Sequence, residues 1–229
     1  MLESAVQLMD DVRANLQRVR ERMARAARRA GRRPEDILLI GVSKTVPAER
    51  VREALDAGLP ALGENRVQEA RDKIRSLGRP VPWHLIGHLQ TNKVKDALEL
   101  FDVIQSVDRL SLAAELARRT RRPLAVLVEV NLAGESSKGG FAPLQVKAAL
   151  DAIRALPRLE VRGLMAVPPA APDPEQARPW FRALRDLRDA AGLPELSIGM
   201  SADFEVAIEE GATMVRVGTA LFGARAKAA

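Results

Sequence analysis

The chain has 229 residues, 47% of them hydrophobic, and a formal net charge of +6, so it has the composition of a folded protein rather than a disordered or fibrous one. It contains no Cys and only two His, which excludes disulfides and thiolate chemistry and argues against a zinc enzyme or another metal site. No apolar run is long enough to cross a bilayer and the start does not resemble a secretory signal, so we expect a cytoplasmic protein without membrane association.

Residues 1–33 are predicted to form a basic amphipathic helix that precedes the main fold. Apolar side chains recur at spacings of three and four over residues 2–30, and Gly31 and Pro34 mark the end of the pattern. Nine Arg and one acidic residue lie between positions 13 and 33. They form either a solvated helix face or a contact with an anionic surface. No aromatic residue interleaves them, so we expect no nucleic-acid partner.

Beyond residue 34, short apolar runs alternate with helical segments. The predicted strands are residues 37–43, 60–62, 83–86, 102–106, 124–130, 160–166, 196–199 and 213–217. The predicted helices are residues 48–57, 65–77, 91–99, 109–119, 143–155, 175–191 and 203–210, followed by a short closing helix.

This alternation predicts an α/β fold with parallel strands joined by right-handed crossovers. Eight strand–helix pairs favour a single (β/α)8 TIM barrel over residues 37–226, with the N-terminal helix as an addition. A doubly wound open sheet is the alternative, but the sequence lacks the glycine fingerprint that such sheets carry after their first strand. No linker divides the chain, so we expect one domain over residues 1–229.

The first predicted strand leads directly into a lysine. Lys44 has the same strand parity as Val42 and Ile40, so it is expected at the carboxyl end of a buried strand, where barrels place their chemistry. A lysine that only reaches solvent is the alternative. An amine must be neutral to attack a carbonyl, and burial near Arg216 would lower the pKa of Lys44 toward that state.

Two later loops have the features of a phosphate site. Met200 and Ser201 open the helix after strand seven, and Gly218 and Thr219 open the helix after strand eight. Helix N-termini bind phosphate through unpaired N–H groups, and barrels commonly bind phosphate after these two strands. Ordinary helix capping by Ser201 and Thr219 is the alternative.

A lysine amine near a phosphate site indicates an aldehyde that carries a phosphate. Pyridoxal 5′-phosphate (PLP) meets this description, and so does the substrate of a Schiff-base aldolase. Arg216 is predicted to point into the barrel. A guanidinium beside the pyridine nitrogen would keep that nitrogen unprotonated and weaken the cofactor as an electron sink. An ion pair of Arg216 with Asp203 or Glu129 is the alternative.

Several motifs along the whole chain resemble those of the pyridoxal-phosphate homeostasis proteins, a family similar to the barrel domain of alanine racemase. The matching segments are residues 42–45, 63–65, 83–93, 196–201 and 215–223. The resemblance implies PLP held as an imine on Lys44, with Arg216 facing the pyridine ring. It also implies further cofactor contacts, which are Asn65, Met200, Ser201, Gly218 and Thr219. Arg66 departs from the family, in which many members have Tyr.

The resemblance further implies a carrier or buffer of PLP with no catalytic residue. Alanine racemase uses a lysine and a tyrosine as its two bases, and this chain has no Tyr. His88 and Lys93 could replace the tyrosine in principle, but a capping or surface role for His88 and a solvent-facing helix position for Lys93 are the favoured interpretations. A PLP-dependent amino-acid racemase or a Schiff-base aldolase is the alternative function. We expect a monomer whose partners are PLP and PLP-dependent apoenzymes.

Overall fold

A computed structural model describes residues 11–135 and 137–223, and in it eight parallel strands close into a barrel. Each strand pairs with the next along the chain, and the first pairs with the last. This confirms the predicted (β/α)8 barrel. Two ends of the predicted domain, residues 1–10 and 224–229, lie outside the described residues. The first of these ranges includes the start of the predicted N-terminal helix.

The elements follow the predicted order, with bounds that differ by a few residues. The strands are β1 (Leu38–Val42), β2 (Ala61–Glu64), β3 (Trp83–Leu85), β4 (Val103–Val107), β5 (Leu124–Glu129), β6 (Leu159–Met165), β7 (Glu195–Ser197) and β8 (Met214–Val217). The helices are α1 (Val12–Arg29), α2 (Ala48–Asp56), α3 (Val67–Leu77), α4 (Val94–Leu100), α5 (Leu110–Arg119), α6 (Val146–Arg154), α7 (Arg178–Ala190), α8 (Phe204–Glu209) and α9 (Thr219–Phe222).

Three predicted helices begin with a 3₁₀ turn instead of a regular helical turn. These turns are Thr91–Lys93, Pro143–Gln145 and Pro174–Ala177. Pro143 and Pro174 have no backbone N–H and fit only the first turn of a helix, where that donor is not needed.

The apolar residues form two layers because successive side chains of a strand point to opposite faces of the sheet. Inside the barrel lie Ile40, Ala61, Leu127, Met165 and Met214. Between the strands and the surrounding helices lies a larger layer, whose biggest fully buried members are Trp83, Phe101, Phe181 and Phe204. Burial of each such side chain contributes about 1.5–3 kcal/mol, so the two layers fix the strands whose ends form the site.

Helix α1 packs against the barrel and uses part of its arginine run for contacts within the molecule. Its apolar face buries Val12, Leu16, Val19, Met23 and neighbouring alanines. The Arg22 guanidinium lies 2.7 Å from Glu205 and 4.5 Å from the centre of the Phe204 ring, and Arg29 lies 2.7 Å from Glu209. These contacts hold α1 against α8. Within the described residues, no helix is long and apolar enough to span a membrane.

Candidate functional site

A cavity of about 310 Å³ opens at the carboxyl ends of the strands. Seven of the residues that line it are the complete predicted cofactor-binding set: Lys44, Asn65, Met200, Ser201, Arg216, Gly218 and Thr219. The remaining lining residues are Val42, Ile86, Val167 and Ala202. Larger grooves of about 1000 Å³ and 820 Å³ lie elsewhere on the barrel, and none of the seven predicted residues lines either of them.

The backbone on both sides of half-buried Lys44 is held by charged side chains of α3. Lys73 donates a hydrogen bond from Nζ to the carbonyl oxygen of Ser43, and Glu69 accepts one from the N–H of Thr45. Thr45 has a φ of 62°, in the left-handed region that is uncommon for a β-branched residue. Such strain persists only where surrounding contacts enforce it. The segment that carries Lys44 is therefore fixed by tertiary contacts and does not follow from its own backbone preferences.

Behind this segment, Lys73 and Glu64 form a buried ion pair. Lys73 Nζ lies 2.6 Å from Glu64 Oε1 and 2.7 Å from Glu69 Oε1, and the Ser43 hydroxyl donates to the same Glu64 oxygen at 2.7 Å. Burial raises the pKa of Glu64, and the Lys73 ammonium opposes that rise. Glu64 follows a strand whose end reaches the cavity, but its own side chain does not line that cavity. Its side chain instead turns outward to α3, because strand alternation gives it the parity of Leu62.

Ser201 joins the loops that follow β7 and β8. Its hydroxyl oxygen accepts hydrogen bonds from the N–H groups of Gly218 at 3.1 Å and of Ala220 at 3.2 Å. Among the described residues, the N–H groups of Ser201, Ala202 and Thr219 have no hydrogen-bond acceptor. Three unpaired donors therefore lie on loops that line the cavity, as an anion would require.

Gly199 allows this loop to pack closely. Its φ is +86°, and a Cβ atom there would lie 2.5 Å from the Cβ of Ala207. The next residue, Met200, donates its N–H to Asp203 Oδ1 at 2.6 Å, which closes the turn before α8. Burial raises the pKa of the Asp203 carboxyl.

Arg216 lies in the wall of the cavity, with 3% of its surface exposed. Its Nη1 donates to the carbonyl oxygen of Ser197 at 2.7 Å and to the Ser197 hydroxyl at 2.6 Å, while Nη2 donates to the carbonyl of Ala166 at 2.8 Å. Burial lowers the pKa of Arg216 to about 10, so the guanidinium remains charged at neutral pH. Among the described residues Arg216 forms no direct ion pair with Asp203 or Glu129, and these two carboxyls only oppose, through their charge, the lowering of its pKa by burial.

Asn65 provides a test of whether the cavity suits a polar ligand. Its Oδ1 is buried and has no hydrogen-bond partner among the described residues. Buried polar atoms are almost always paired, so this oxygen fits a site that a ligand donor completes. Gly87 packs against the same residue, and a Cβ atom at Gly87 would lie 2.5 Å from the carbonyl oxygen of Asn65.

The other polar residues at the strand ends do not line this cavity. His88 Nδ1 lies 2.7 Å from Asp108 Oδ2, and Lys93 is exposed in its 3₁₀ turn. Burial and the negative charge of Asp108 raise the pKa of Glu129 to about 7, against the opposing effects of Arg216 and His88. Neither candidate for a second base, His88 nor Lys93, contacts the cavity.

The part of the chain that the structure describes has no cluster of three or more residues that could hold a metal ion.

Sequence reasoning missed two residues that support the site. Gln105 is fully buried inside the barrel, and its polarity within the apolar run of β4 was the available signal. Lys73 is also buried, and it occupies a position between Ala70 and Leu77 on the apolar face of α3. A single polar residue on an otherwise apolar face indicates a buried partner.

The family model described as "Alanine racemase, N-terminal domain" matches residues 10–226. The pyridoxal phosphate homeostasis protein of Aquifex aeolicus is 49% identical over 220 residues, which cover 92% of this chain and 96% of that protein. The chain belongs to the pyridoxal phosphate homeostasis protein family. The family member from Escherichia coli is 45% identical over 232 residues, covering 95% of this chain and 98% of that protein. The predicted family resemblance is thereby confirmed.

Solved structures agree with this family assignment. PipY of Synechococcus elongatus, solved with PLP bound, is 38% identical and superposes with a TM-score of 0.78 over 90% of this chain and 100% of its own. Alanine racemase from Corynebacterium glutamicum has a TM-score of 0.68 at 19% identity, covering 91% of this chain and 62% of its own. At that identity the racemase shares the fold of this homeostasis-family protein, and nothing further is inferred from it.

Proposed function

We propose that this protein binds pyridoxal 5′-phosphate covalently through Lys44 and serves as a carrier or buffer of the cofactor in the cell. The observation that carries the proposal is the single cavity that contains Lys44, Arg216 and the unpaired N–H groups of the β7 and β8 loops. The PLP-bound structure of PipY and the names of the relatives support the choice of ligand.

Each lining residue has a role that follows from its chemistry. The amine of Lys44 would hold the cofactor covalently through its aldehyde carbon, with release of one water. The N–H groups of Ser201 and Thr219 bind the phosphate, and the hydroxyl of Ser201 keeps Gly218 and its loop in position. Lys44 follows β1, and Gly218 and Thr219 follow β8. Because β1 and β8 are hydrogen-bonded neighbours, the lysine and this loop lie at the ends of adjacent strands.

The side of the cavity that faces the ring is built by Arg216, Asn65 and Met200. Arg216 would donate its remaining N–H groups to the pyridine nitrogen, and Asn65 Oδ1 would accept a hydrogen bond from the ligand. Bound PLP supplies an electrophilic carbon and an electron sink, and the second of these is weakened when the ring nitrogen stays unprotonated. A guanidinium keeps that nitrogen unprotonated because two adjacent cations repel each other.

We infer that the bound cofactor is held without turnover of an amino acid. The chain contains no Tyr, and neither His88 nor Lys93 lines the cavity, so among the described residues that line it Lys44 is the one amine base. The competing functions are an amino-acid racemase and a Schiff-base aldolase. Exchange of α-carbon hydrogen for deuterium in a panel of amino acids, faster than with PLP alone, would establish the racemase instead.

Substitution of Lys44 by Ala is expected to abolish covalent cofactor binding. Purified wild-type protein reduced with borohydride should carry one pyridoxyl group on Lys44, and its visible absorbance band should be missing from Lys44→Ala. Lys93→Ala, which removes an exposed lysine of the same barrel mouth, is the matched control and should keep both signals. A pyridoxyl group on another lysine of the wild-type protein contradicts the assignment.

We further propose that the protein acts in the cytoplasm as a monomer and delivers PLP to apoenzymes. Light scattering behind size-exclusion chromatography is expected to give a mass close to 25.0 kDa, the mass of one chain, with and without PLP. A mass twice as large would contradict the monomer.

A further inference from the structure

A chain of hydrogen bonds crosses the interior of the barrel from β8 to β3, below the cavity. Arg216 Nη1 donates to the Ser197 hydroxyl at 2.6 Å, that hydroxyl donates to Gln105 Oε1 at 2.6 Å, and Gln105 Nε2 lies 2.8 Å from His84 Nδ1. Ser197 and Gln105 are 0% exposed and His84 is 3% exposed. None of these three residues lines the cavity, so they reach it only through Arg216.

The direction of these hydrogen bonds follows from the guanidinium at one end and from the orientation of the Gln105 amide in the middle. A guanidinium only donates, so Ser197 Oγ accepts from Arg216 and its single hydrogen is directed to Gln105 Oε1. The amide nitrogen of Gln105 then faces His84, and its second N–H faces Met214 Sδ at 3.5 Å. His84 Nδ1 must therefore accept, which requires a neutral imidazole with its hydrogen on Nε2.

We propose that Gln105, supported by His84, is a positioning residue that fixes the orientation of Arg216 toward the pyridine nitrogen; this rests on the proposed function. Gln105 is the acceptor that holds the Ser197 hydrogen away from Arg216. Without that acceptor the hydroxyl can turn, and Arg216 loses one of the three hydrogen bonds that hold its Nη atoms. The guanidinium then no longer presents its remaining donors in one fixed arrangement.

The electrostatics of the buried chain agree with this role. Burial lowers the pKa of His84 to about 4, so His84 stays a neutral acceptor across the physiological range. A proton on His84 Nδ1 would place two N–H donors, that of His84 and that of Gln105, opposite each other. Only a turned Gln105 amide would relieve this, and the hydrogen bonds would then run in the opposite direction. In a barrel interior, where polar groups have no water to replace a lost partner, such a chain is most stable when every member is paired.

Gln105→Met tests the proposal because it keeps the size of the side chain and removes both of its hydrogen-bonding groups. We expect PLP to bind about tenfold more weakly, corresponding to about 1.4 kcal/mol. An analogue of PLP with C–H in place of the ring nitrogen should bind wild type and Gln105→Met equally. Thr120→Val is the matched control, because it deletes a hydrogen bond of another buried residue, from Oγ1 to the Arg122 carbonyl at 2.7 Å, away from the cavity.

Equal losses of affinity for PLP and for the analogue would overturn the proposal, since Gln105 would then act on the fold alone. Failure of wild type to bind either compound would instead refute the proposed function. A ¹⁵N NMR spectrum of the cofactor-free protein gives an independent readout. We expect an unprotonated His84 Nδ1 in wild type and a protonated one in Gln105→Glu, where the carboxylate accepts from both neighbours. A hydrogen on Nδ1 of the wild-type protein contradicts the direction of the chain.

Discussion

Lys73→Met is expected to lower the free energy of unfolding by about 3–5 kcal/mol. The substitution keeps the length of the side chain and deletes the ammonium that lies 2.6 Å from fully buried Glu64. An uncompensated carboxylate at fully buried Glu64 is shielded from bulk solvent, and the Ser43 carbonyl loses a charged donor as well. Urea denaturation followed by circular dichroism measures the loss.

Two matched variants separate this mechanism from a general effect of losing a lysine. Lys147→Met removes an exposed lysine that lies 2.8 Å from Asp151, and exposed pairs of this kind contribute at most about 1 kcal/mol. The double variant Lys73→Met with Glu64→Gln removes both charges of this buried pair, and Gln can still accept from Ser43. We expect it to recover most of the lost stability. A double variant as unstable as Lys73→Met would indicate that packing, not charge, explains the loss.

Lys73→Met is also expected to weaken the attachment of PLP at Lys44. Lys73 holds the carbonyl of Ser43, and the left-handed Thr45 follows one residue after the reactive lysine. Loss of the hydrogen bond from Lys73 to the Ser43 carbonyl gives the Lys44 segment more conformational freedom. A smaller fraction of its conformations then directs the amine into the cavity. The double variant should not recover this binding, because it restores neutrality and not the contact to Ser43.

The fold was predictable because its signal is repeated eight times. Each apolar run is short, ends at Gly, Pro or a polar residue, and is followed by a helical pattern, so errors of a few residues at any one boundary left the topology unchanged. The 3₁₀ turns were not predictable at that level, because they share their side-chain pattern with the first turn of a helix.

The cavity was predictable because barrels bring the residues after every strand to one end, which placed Lys44, Ser201 and Arg216 together before any coordinates. The contacts that fix these residues were not predictable. Lys73 approaches Ser43 from a helix thirty positions away, and Ser197 meets Gln105 across ninety-two positions. Such pairs depend on the register of the closed sheet, which local sequence patterns do not determine.

Glu129→Gln is expected to raise the free energy of unfolding at pH 8 by about 3 kcal/mol. Burial, with the charge of Asp108, raises the pKa of Glu129 to about 7 from an ordinary value of 4.5. A carboxyl whose pKa is raised by folding is easier to ionise in the unfolded chain. Its contribution to stability therefore falls as the pH rises from about 4.5 to 7, and each pKa unit corresponds to about 1.4 kcal/mol. Above about pH 7 the wild-type protein must bury an ionised carboxylate at position 129, which lowers its stability, and the neutral Gln avoids this loss.

His84 produces the opposite pH dependence. Burial lowers its pKa from 6.5 to about 4, so the unfolded chain binds a proton first as the pH falls. Stability that is fully present above pH 6.5 is then lost as the pH falls toward 4. Between about pH 4.5 and 6.5 the two groups act in opposite directions, so their two contributions to the stability of the wild-type protein nearly cancel there.

Glu129→Gln therefore has a second expected result. Its free energy of unfolding should depend on pH in a range where the contributions of Glu129 and His84 cancel in the wild-type protein. With the glutamate removed, the free energy of unfolding should decrease by about 2–3 kcal/mol between pH 7 and 4.5, because the His84 contribution is no longer offset. Denaturation at a series of pH values measures both profiles, and Glu53→Gln on the exposed face of α2 is the control that should follow wild type. If Glu129→Gln were less stable than wild type at pH 8, Glu129 would be stabilised as a carboxylate by Arg216, and its contribution to the profile would have the opposite sign.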